Sequence, residues 1–475
     1  MKRTFWKYKL KAWGEDDIKP VTGGFRTSRN GWGAFIVDCA TTLPLMGLWQ
    51  ELHLEIDHII NKIDFTNATE LVDPFETTIR YLGGLVSLTN LIDDDLGPEA
   101  NITKTQRDQL LAQAVTLARK LEPSFDSPTG MVWPRVNFTH DIPAGDPPDV
   151  LRGSPEKAKW KHPAISPARA GSNILENGAL SKLTGDGIYL ENATKAWAPL
   201  VWNKNPEEWP GIIDGPIDIF TGTPVGRFRS WDAPHDSYYE YLIKAHIFSP
   251  GSKHARKYRN RWVQAAESLR EHLSSRANST GEGNGHQQLY IGSWDDGRYV
   301  NTMHHFSCFA AGNLLLGGRY LGREDLFTFG LELLDSCHHI YTSTTTHIGP
   351  DAFHWIADAT ANHTAKLPTN TAQASMLKRL GFWSSAPHYT LRPEYVESVF
   401  YAWRITGEEK YRDWAWEAFT SIEAVTRARY GYGGLHNVFD SVEDASLMDY
   451  TESFWGGETL KYDLSISTIH QKTGS

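Results

Sequence analysis

The sequence predicts an all-α fold, a closed ring of helical hairpins around a central cavity. Three observations predict it. Apolar and aromatic residues recur at helical spacing in paired segments. Each marked pair is joined by a turn centred on Gly, the residue preferred just past a helix end. The spacing between these turns is irregular, which excludes a regular solenoid. Hairpins of this kind bury their apolar faces side by side. Closing them into a ring leaves no hairpin unpaired.

The hairpins follow one another along the chain. The first joins PFETTIRYLGGLVSLTNLI (74–92) to QRDQLLAQAVTLARKL (106–121). The second is LENGALSKLTGDGIYLENATKAW (175–197), and the third joins DSYYEYLIKAHIFS (236–249) to RKYRNRWVQAAESLREHL (256–273). The fourth is CFAAGNLLLGGRYLGREDLFTFGLELLDSCHHIY (308–341), and the fifth VESVFYAWRITGEEKYRDWAWEAFTSIEAV (396–425). Ahead of the fifth, Pro393 suits the first helical position, where its missing N–H costs nothing. Glu394 and Glu397 then share a face of the first turn. The Pro-, Gly- and Ser-rich stretches 131–156 and 203–228 read as long loops over one end of the ring. Loops of that length are usually functional or disordered. No linker divides the chain, so residues 1–475 are expected to form one domain.

Composition narrows the function. Of 475 residues, 40% are apolar and 22% charged, a globular balance with ample material for a core. A net charge of −10 without a basic tract argues against nucleic acid as a partner. No apolar run reaches the roughly 18–20 residues that span a bilayer. The N-terminal MKRTFWKYKLKAWGEDD is basic and aromatic but lacks the apolar centre of a signal peptide. A secretory route therefore requires a targeting segment that is not in this chain. N-x-S/T sequons at Asn67, Asn101, Asn137, Asn192, Asn278 and Asn362 favour that route. With three cysteines, Cys39, Cys308 and Cys337, one is unpaired or all are free. Abundant aromatic rings, which stack on sugar faces when exposed in a cleft, favour a carbohydrate ligand only weakly.

Acidic residues recur at the starts of aromatic-rich helices: Glu76, Asp236 and Glu240, Glu394 and Glu397, then Glu452 and Glu458. Each alone fits a solvated charge that complements the helix macrodipole. In a ring, however, the same end of successive hairpins faces one cavity, so these carboxylates converge. Hydrolysis of a glycosidic bond needs such a convergence, one acid for the leaving oxygen and one base for water. A dense carboxylate cluster repels itself unless cations intervene. Arg80, Arg392 or a hard metal with oxygen ligands would serve.

Six segments carry a family resemblance: SRNGWGAFIVDCATTLPLMGL, PFETTIRYLGGL, DSYYEYLIK, HHFSCFAAGNLLLG, LRPEYVESVFYAWRITG and ESFWGGETLKY. In the same order, over about residues 6–462, they resemble the class I α-1,2-mannosidases, glycoside hydrolase family 47. The resemblance implies an (α/α)7 barrel and a calcium-dependent, inverting, exo-acting hydrolase. It also implies a substrate of α-1,2-linked mannose on high-mannose N-glycans or related mannosides, and a place in the ER, the Golgi or outside the cell. By motif, Glu76 resembles the general acid, acting directly or through a water. Glu394 resembles the base that activates water, and Asp236 and Asp351 two further catalytic carboxylates. Arg80, Glu240, His305, Glu397, Glu452 and Glu458 are implied to line the mannose subsite. Cys308 and Cys337 match the family's disulfide, leaving Cys39 free. On this reading, Glu394 activates water while Glu397 holds sugar or metal-bound water.

The chain departs from the family at several places. Asp351 stands where the family has a longer acidic residue. Arg169 replaces an acidic residue, a charge reversal that would alter the accepted glycan branch if it faces the cavity. Pro234 and His235 occupy a loop that influences branch choice. After Tyr462 the family continues to a closing hairpin and a calcium-binding Thr, whereas this chain reads DLSISTIHQKTGS. Thr468 is the remaining candidate ligand. The ending suggests a truncated or mis-spliced chain, with the expectation of weak Ca²⁺ binding and little hydrolysis. The competing expectation is a mannosidase-like glycan-binding or quality-control protein.

Overall fold

The computed structural model describes residues 1–94, 96–147, 160–277, 287–357 and 366–467, with side chains as far as Asp463. Helices α1 (Lys2–Lys11), α2 (Ala34–Cys39) and α3 (Trp49–Asn61) open the chain. A short helix, Pro74–Glu76, and a π-helical turn, Thr77–Leu82, lead into α4 (Gly83–Asp93), which pairs with α5 (Lys104–Leu121). The remaining hairpins are α6 (Ile174–Thr184) with α7 (Ile188–Val201) and α8 (Asp236–Phe248) with α9 (Ala255–Ser268). They continue with α10 (Phe309–Leu321) and α11 (Glu324–Thr342), then α12 (Glu394–Thr406) and α13 (Glu409–Thr426). A second π-helical turn, Trp455–Thr459, runs into α14 (Leu460–Ser467).

The helices form two concentric layers. Helices α2, α4, α6, α8, α10, α12 and α14 each touch the next, and the turn before α14 packs back on α2, so the inner ring closes. Helices α3, α5, α7, α9, α11 and α13 form the outer layer. Helix α1 fills the remaining outer position. Tyr8 stacks on Phe35 of α2 at 4.4 Å, and Thr4 Oγ1 accepts from Trp455 Nε1 at 3.2 Å. The architecture is the (α/α)7 barrel expected from the sequence.

Local chemistry sets the hairpins. Gly185, Gly322 and Gly407 end α6, α10 and α12 with φ of 75°, 66° and 72°, a left-handed conformation that costs Gly no Cβ clash. Pro393 stands one residue ahead of α12, at its N-cap rather than at the first helical position. Between layers, the Trp262 ring of α9 lies where a Cβ on Gly317 would be, 2.2 Å away. Its Nε1 donates to Asn313 of α10 at 2.7 Å. Within the inner ring, Ser398 of α12 accepts from Gly312 N at 2.8 Å and donates to the Cys308 carbonyl at 2.6 Å.

The connections that enter the inner helices carry strands, two of them in or overlapping the stretch 203–228 that reads in the sequence as a long loop. Strands β1 (Ala164–Ile165), β2 (Gly215–Asp218), β3 (Pro224–Arg229), β4 (Ser293–Asp295) and β5 (Arg298–Val300) form an antiparallel sheet in the order β5-β4-β3-β2-β1. A second sheet orders β6 (Thr302–His304), β7 (Ala352–His354) and β8 (Trp383–Ala386). Pairs such as Ile165↔Ile217 and Trp294↔Arg229 are distant in sequence, so no local period announces them.

Cys308 and Cys337 are disulfide-bonded with Cα atoms 6.2 Å apart, and Cys39 is free and buried. The bond ties the start of α10 to α11 at the end of the hairpin opposite Gly322. Replacing both cysteines by Ser is expected to cost about 2–4 kcal/mol, read as a fall in urea midpoint. A change below about 0.5 kcal/mol would contradict a stapling role. Asn67 and Asn101 are exposed, Asn137 and Asn192 partly buried, and Asn278 and Asn362 lie outside the described residues.

Candidate active site

Because the strand-bearing connections run from outer to inner helices, the N-terminal ends of the inner helices share one mouth. Asp236 and Glu394 are the first residues of α8 and α12. Glu76 ends the short helix before the first π-helical turn, and Glu452 precedes the second. Glu240 and Glu397 follow about one turn deeper, roughly 5 Å along their helices. The convergence expected of the predicted carboxylates is therefore present, with cations placed between them.

On one side of the mouth, Arg80 Nε is 2.7 Å from Glu76 Oε2, and its NH1 is 3.3 Å from Asp38. Arg29 bridges Glu76 and Glu452, 3.4 Å from each. Ser453 adds a 2.6 Å hydrogen bond to Asp38. Burial alone would raise the Glu76 carboxyl, but Arg80 and Arg29 outweigh it and hold it down at about 2. A π-helical turn, a feature frequent at functional sites, separates Glu76 from α4 and carries Arg80.

The opposite side is built around Glu394. His305 is buried, with Nδ1 3.1 Å from Glu394 Oε2 and Nε2 2.6 Å from the Tyr341 hydroxyl. Both ring nitrogens of this predicted sugar-binding residue are thus engaged by protein groups. Arg392 reaches Asp351 at 3.0 Å and Glu394 at 3.6 Å, and His388 lies 3.4 Å from Asp351. Burial pushes Glu394 up, but the His305 hydrogen bond and the Arg392 charge prevail and lower it. Glu394 is anionic at neutral pH.

Asp236 has the reverse balance. Burial, with the charges of Asp232 and Glu240, raises it to about 7 against the hydrogen bond from Ser237 N at 2.7 Å. Deeper in the cavity, Lys244 pairs with Glu240 and lies 3.9 Å from Glu397. Burial raises Glu397 well above the usual range, opposed by Lys244 and aided by Glu240 and Glu458. Glu458 is raised to about 7 by burial and by Asp38. Two carboxyls that burial and neighbouring acids keep from ionising form an oxygen-rich floor whose chemistry suits a hard cation. Among the described residues there is no cluster of three or more His, Cys, Asp or Glu side chains arranged as metal ligands. Thr468 lies outside the described residues.

Arg169 is neutralised rather than presented to the cavity. It is 3.0 Å from Asp73 and 3.1 Å from Asp146, and donates to the Pro134 carbonyl at 2.8 Å. Arg135 closes a four-member network with the same two aspartates. Asp73 in turn caps the helix that ends at Glu76, accepting from Phe75 N at 3.0 Å. His235 is fully buried, and burial lowers it to about 3, so it packs as a neutral ring.

Sequence reasoning passed over Arg29, Asp38, Lys244, Asp232 and His304. Lys244 carried a signal, four residues beyond Glu240 on one helix. Arg29 and Asp38 sit in a motif that carried the resemblance, but only long-range contacts single them out.

Comparison with known proteins accords with this geometry. Residues 1–464 match the profile of glycosyl hydrolase family 47. A probable mannosyl-oligosaccharide α-1,2-mannosidase 1B from Aspergillus clavatus is 39% identical over 459 residues, 96% of this chain and 83% of the relative. The mannosyl-oligosaccharide α-1,2-mannosidase of Coccidioides posadasii is 37% identical over 464 residues, 97% of this chain and 82% of that protein. The solved α-1,2-mannosidase from Trichoderma reesei superposes with a TM-score of 0.87 at 33% identity, covering 98% of this chain and 91% of that one. This chain belongs to glycosyl hydrolase family 47.

Proposed function

We propose that the protein is an inverting, exo-acting mannosyl-oligosaccharide α-1,2-mannosidase. One observation carries the reading: Glu76, Asp236 and Glu394 stand at helix ends on one mouth in opposed surroundings. Glu394 lies 3.1 Å from His305 and 3.6 Å from Arg392, which lower it, and Asp236 is buried near Asp232 and Glu240, which raises it to about 7. Groups pushed apart in this way divide acid and base roles. Glu394 draws a proton from water as its oxygen attacks the anomeric carbon, and the bond to the leaving oxygen breaks on the opposite face. Glu76, kept anionic by Arg80 and Arg29, orients a water on the leaving-group side. Asp236 supplies the proton that the leaving oxygen takes. His305 and Arg392 orient Glu394, while Asp351 orients Arg392. Arg80, Glu240, Glu397, Glu452 and Glu458 line the mannose subsite.

The substrate class, α-1,2-linked mannose on high-mannose N-glycans, follows the family and its named relatives. A secretory or extracellular setting fits the disulfide, which persists where the compartment is oxidising. No described helix is long and apolar enough to cross a membrane. Closure of the inner ring between α2 and the turn before α14 supports reading residues 1–475 as one catalytic domain.

Following α-1,2-linked mannobiose by NMR in excess Ca²⁺ should show β-mannose first. Initial α-mannose would overturn the inverting assignment. Glycan binding without turnover over days would favour a binding protein instead.

The family is generally calcium-dependent, and Glu397 and Glu458 would hold Ca²⁺ here through waters. Bound Ca²⁺ supplies positive charge that orients sugar hydroxyls at the cavity floor. Calorimetry is expected to register Ca²⁺ binding that Glu458→Gln weakens at least about tenfold, because acidic ligand count tunes affinity. Equal affinity in both proteins would remove Glu458 from the site.

A further inference from the structure

Asp232 and His304 form a pair with no role in the assignment above. His304 Nδ1 meets Asp232 Oδ2 at 2.5 Å, and the His304 backbone N–H donates to the same oxygen at 3.2 Å. Asp232 is buried, whereas the His304 side chain is 41% exposed at the mouth. The pair joins β6 to the loop entering α8. In that loop the Asp232 carbonyl accepts from the backbone N–H groups of His235 at 2.9 Å and Asp236 at 3.2 Å. Asp232 thus stands directly before Asp236 with a carboxylate whose compensation comes from His304.

Other charges around this corner are accounted for. Facing His304 are Asp351, Arg392 and His354. Asp351 and Arg392 bind each other, and burial keeps His354 low. Glu240, on the same helix as Asp236, pairs with Lys244. From the elements packed on α8, Arg169 is held by Asp73 and Asp146, Arg261 by Glu207, and Glu176 accepts from Tyr241.

We propose that Asp232 and His304 are positioning residues that govern when Asp236 carries its proton, and so set the alkaline limit of turnover. The proposal rests on the reading of Asp236 as the proton donor. A carboxylate at Asp232 opposes a second negative charge at Asp236, and a protonated His304 cancels part of that opposition. His304 is itself raised, since Asp232 outweighs the effect of burial. Removing the imidazole takes the counter-charge from Asp232, which keeps only the backbone N–H groups of Ala233 and His304, so Asp236 holds its proton to higher pH. Removing the Asp232 charge does the reverse.

The test is the pH profile of kcat/KM on α-1,2-mannobiose for the full chain with Ca²⁺, comparing wild type, His304→Gln, Asp232→Asn and Asp236→Asn. His304→Gln retains an N–H donor without the charge, and its alkaline limb should move up by about half a unit to one unit. In Asp232→Asn the limb should move down by a similar amount. Should that variant fail to fold, His304→Lys, with a permanent positive charge, should also move it down. Opposite shifts support the proposal. Unmoved limbs, or shifts in the same direction, overturn it while an inactive Asp236→Asn leaves the proton-donor reading standing. If Asp236→Asn keeps the wild-type rate and limb, the proton-donor reading falls and takes the proposal with it.

Discussion

Glu394→Gln is expected to lower kcat/KM on α-1,2-mannobiose by about 10²–10⁴-fold, the range for an acid or base acting in the transition state. The substitution is nearly isosteric. An amide oxygen can still accept from His305 Nδ1, now 3.1 Å away, and Arg392 keeps its 3.0 Å contact with Asp351. What disappears is the basic lone pair held anionic by His305 and Arg392. Because His305 and Arg392 outweigh burial and lower Glu394, the ionised carboxyl stabilises the fold at pH 7, and the amide should cost a small part of that stability. The diagnostic result is a collapse in kcat with KM changed less than about threefold in a variant whose melting temperature stays well above that of the assay. A variant with more than a tenth of wild-type kcat would remove Glu394 as the base.

Arg80→Met is expected to destabilise the fold by about 3–5 kcal/mol at pH 7, the cost of stranding a buried charge. The guanidinium lies between Glu76, at 2.7 Å, and Asp38, at 3.3 Å, and its charge also faces Glu458. Met fills much of the volume but leaves these carboxylates without their main counter-charge. Arg29 still touches Glu76, but only at 3.4 Å. The pH dependence follows from Glu76, which is depressed to about 2. Its stabilising contribution is present above the unfolded value near 4.5 and is lost as pH falls through 2. The gap between wild type and variant should therefore narrow below about pH 4.5. Urea unfolding at pH 7 and pH 3 measures both values. A loss under about 1 kcal/mol at pH 7, or a gap that widens in acid, would contradict the role given to Arg80. Arg80→Lys, which keeps the charge but loses the planar fork, should recover part of the loss.

Much of the barrel was legible in the chain because its units are local. Helical periodicity marks α6, α10 and α12, and a left-handed Gly ends each of them within the same few residues. Glu76, Asp236 and Glu394 were legible for a related reason: a helix start is a local event, and a ring places every such start at one mouth. The (α/α)7 count and the Cys308–Cys337 pairing came through ordered family motifs. Periodicity alone supplied neither.

Tertiary structure decided the rest. The five-stranded sheet is assembled from pairs such as Ile165↔Ile217, whose register depends on partners brought together by the ring. Arg29 joins Glu76 to Glu452 across most of the chain, so nothing near it in sequence marks it as part of the site. Arg169 reads as a charge reversal aimed at substrate, yet Asp73 and Asp146 neutralise it and turn it into support for the Glu76 helix. The sharpest case is the pair of acidic helix-start residues Asp236 and Glu394. Their sequence contexts are alike, but one is raised to about 7 and the other lowered. Residue type and helical position, which the sequence by itself determines, place a carboxyl at the mouth. Its charge depends on burial and on cations delivered from distant segments, because an ion's free energy is set by everything within a few ångströms of it in space.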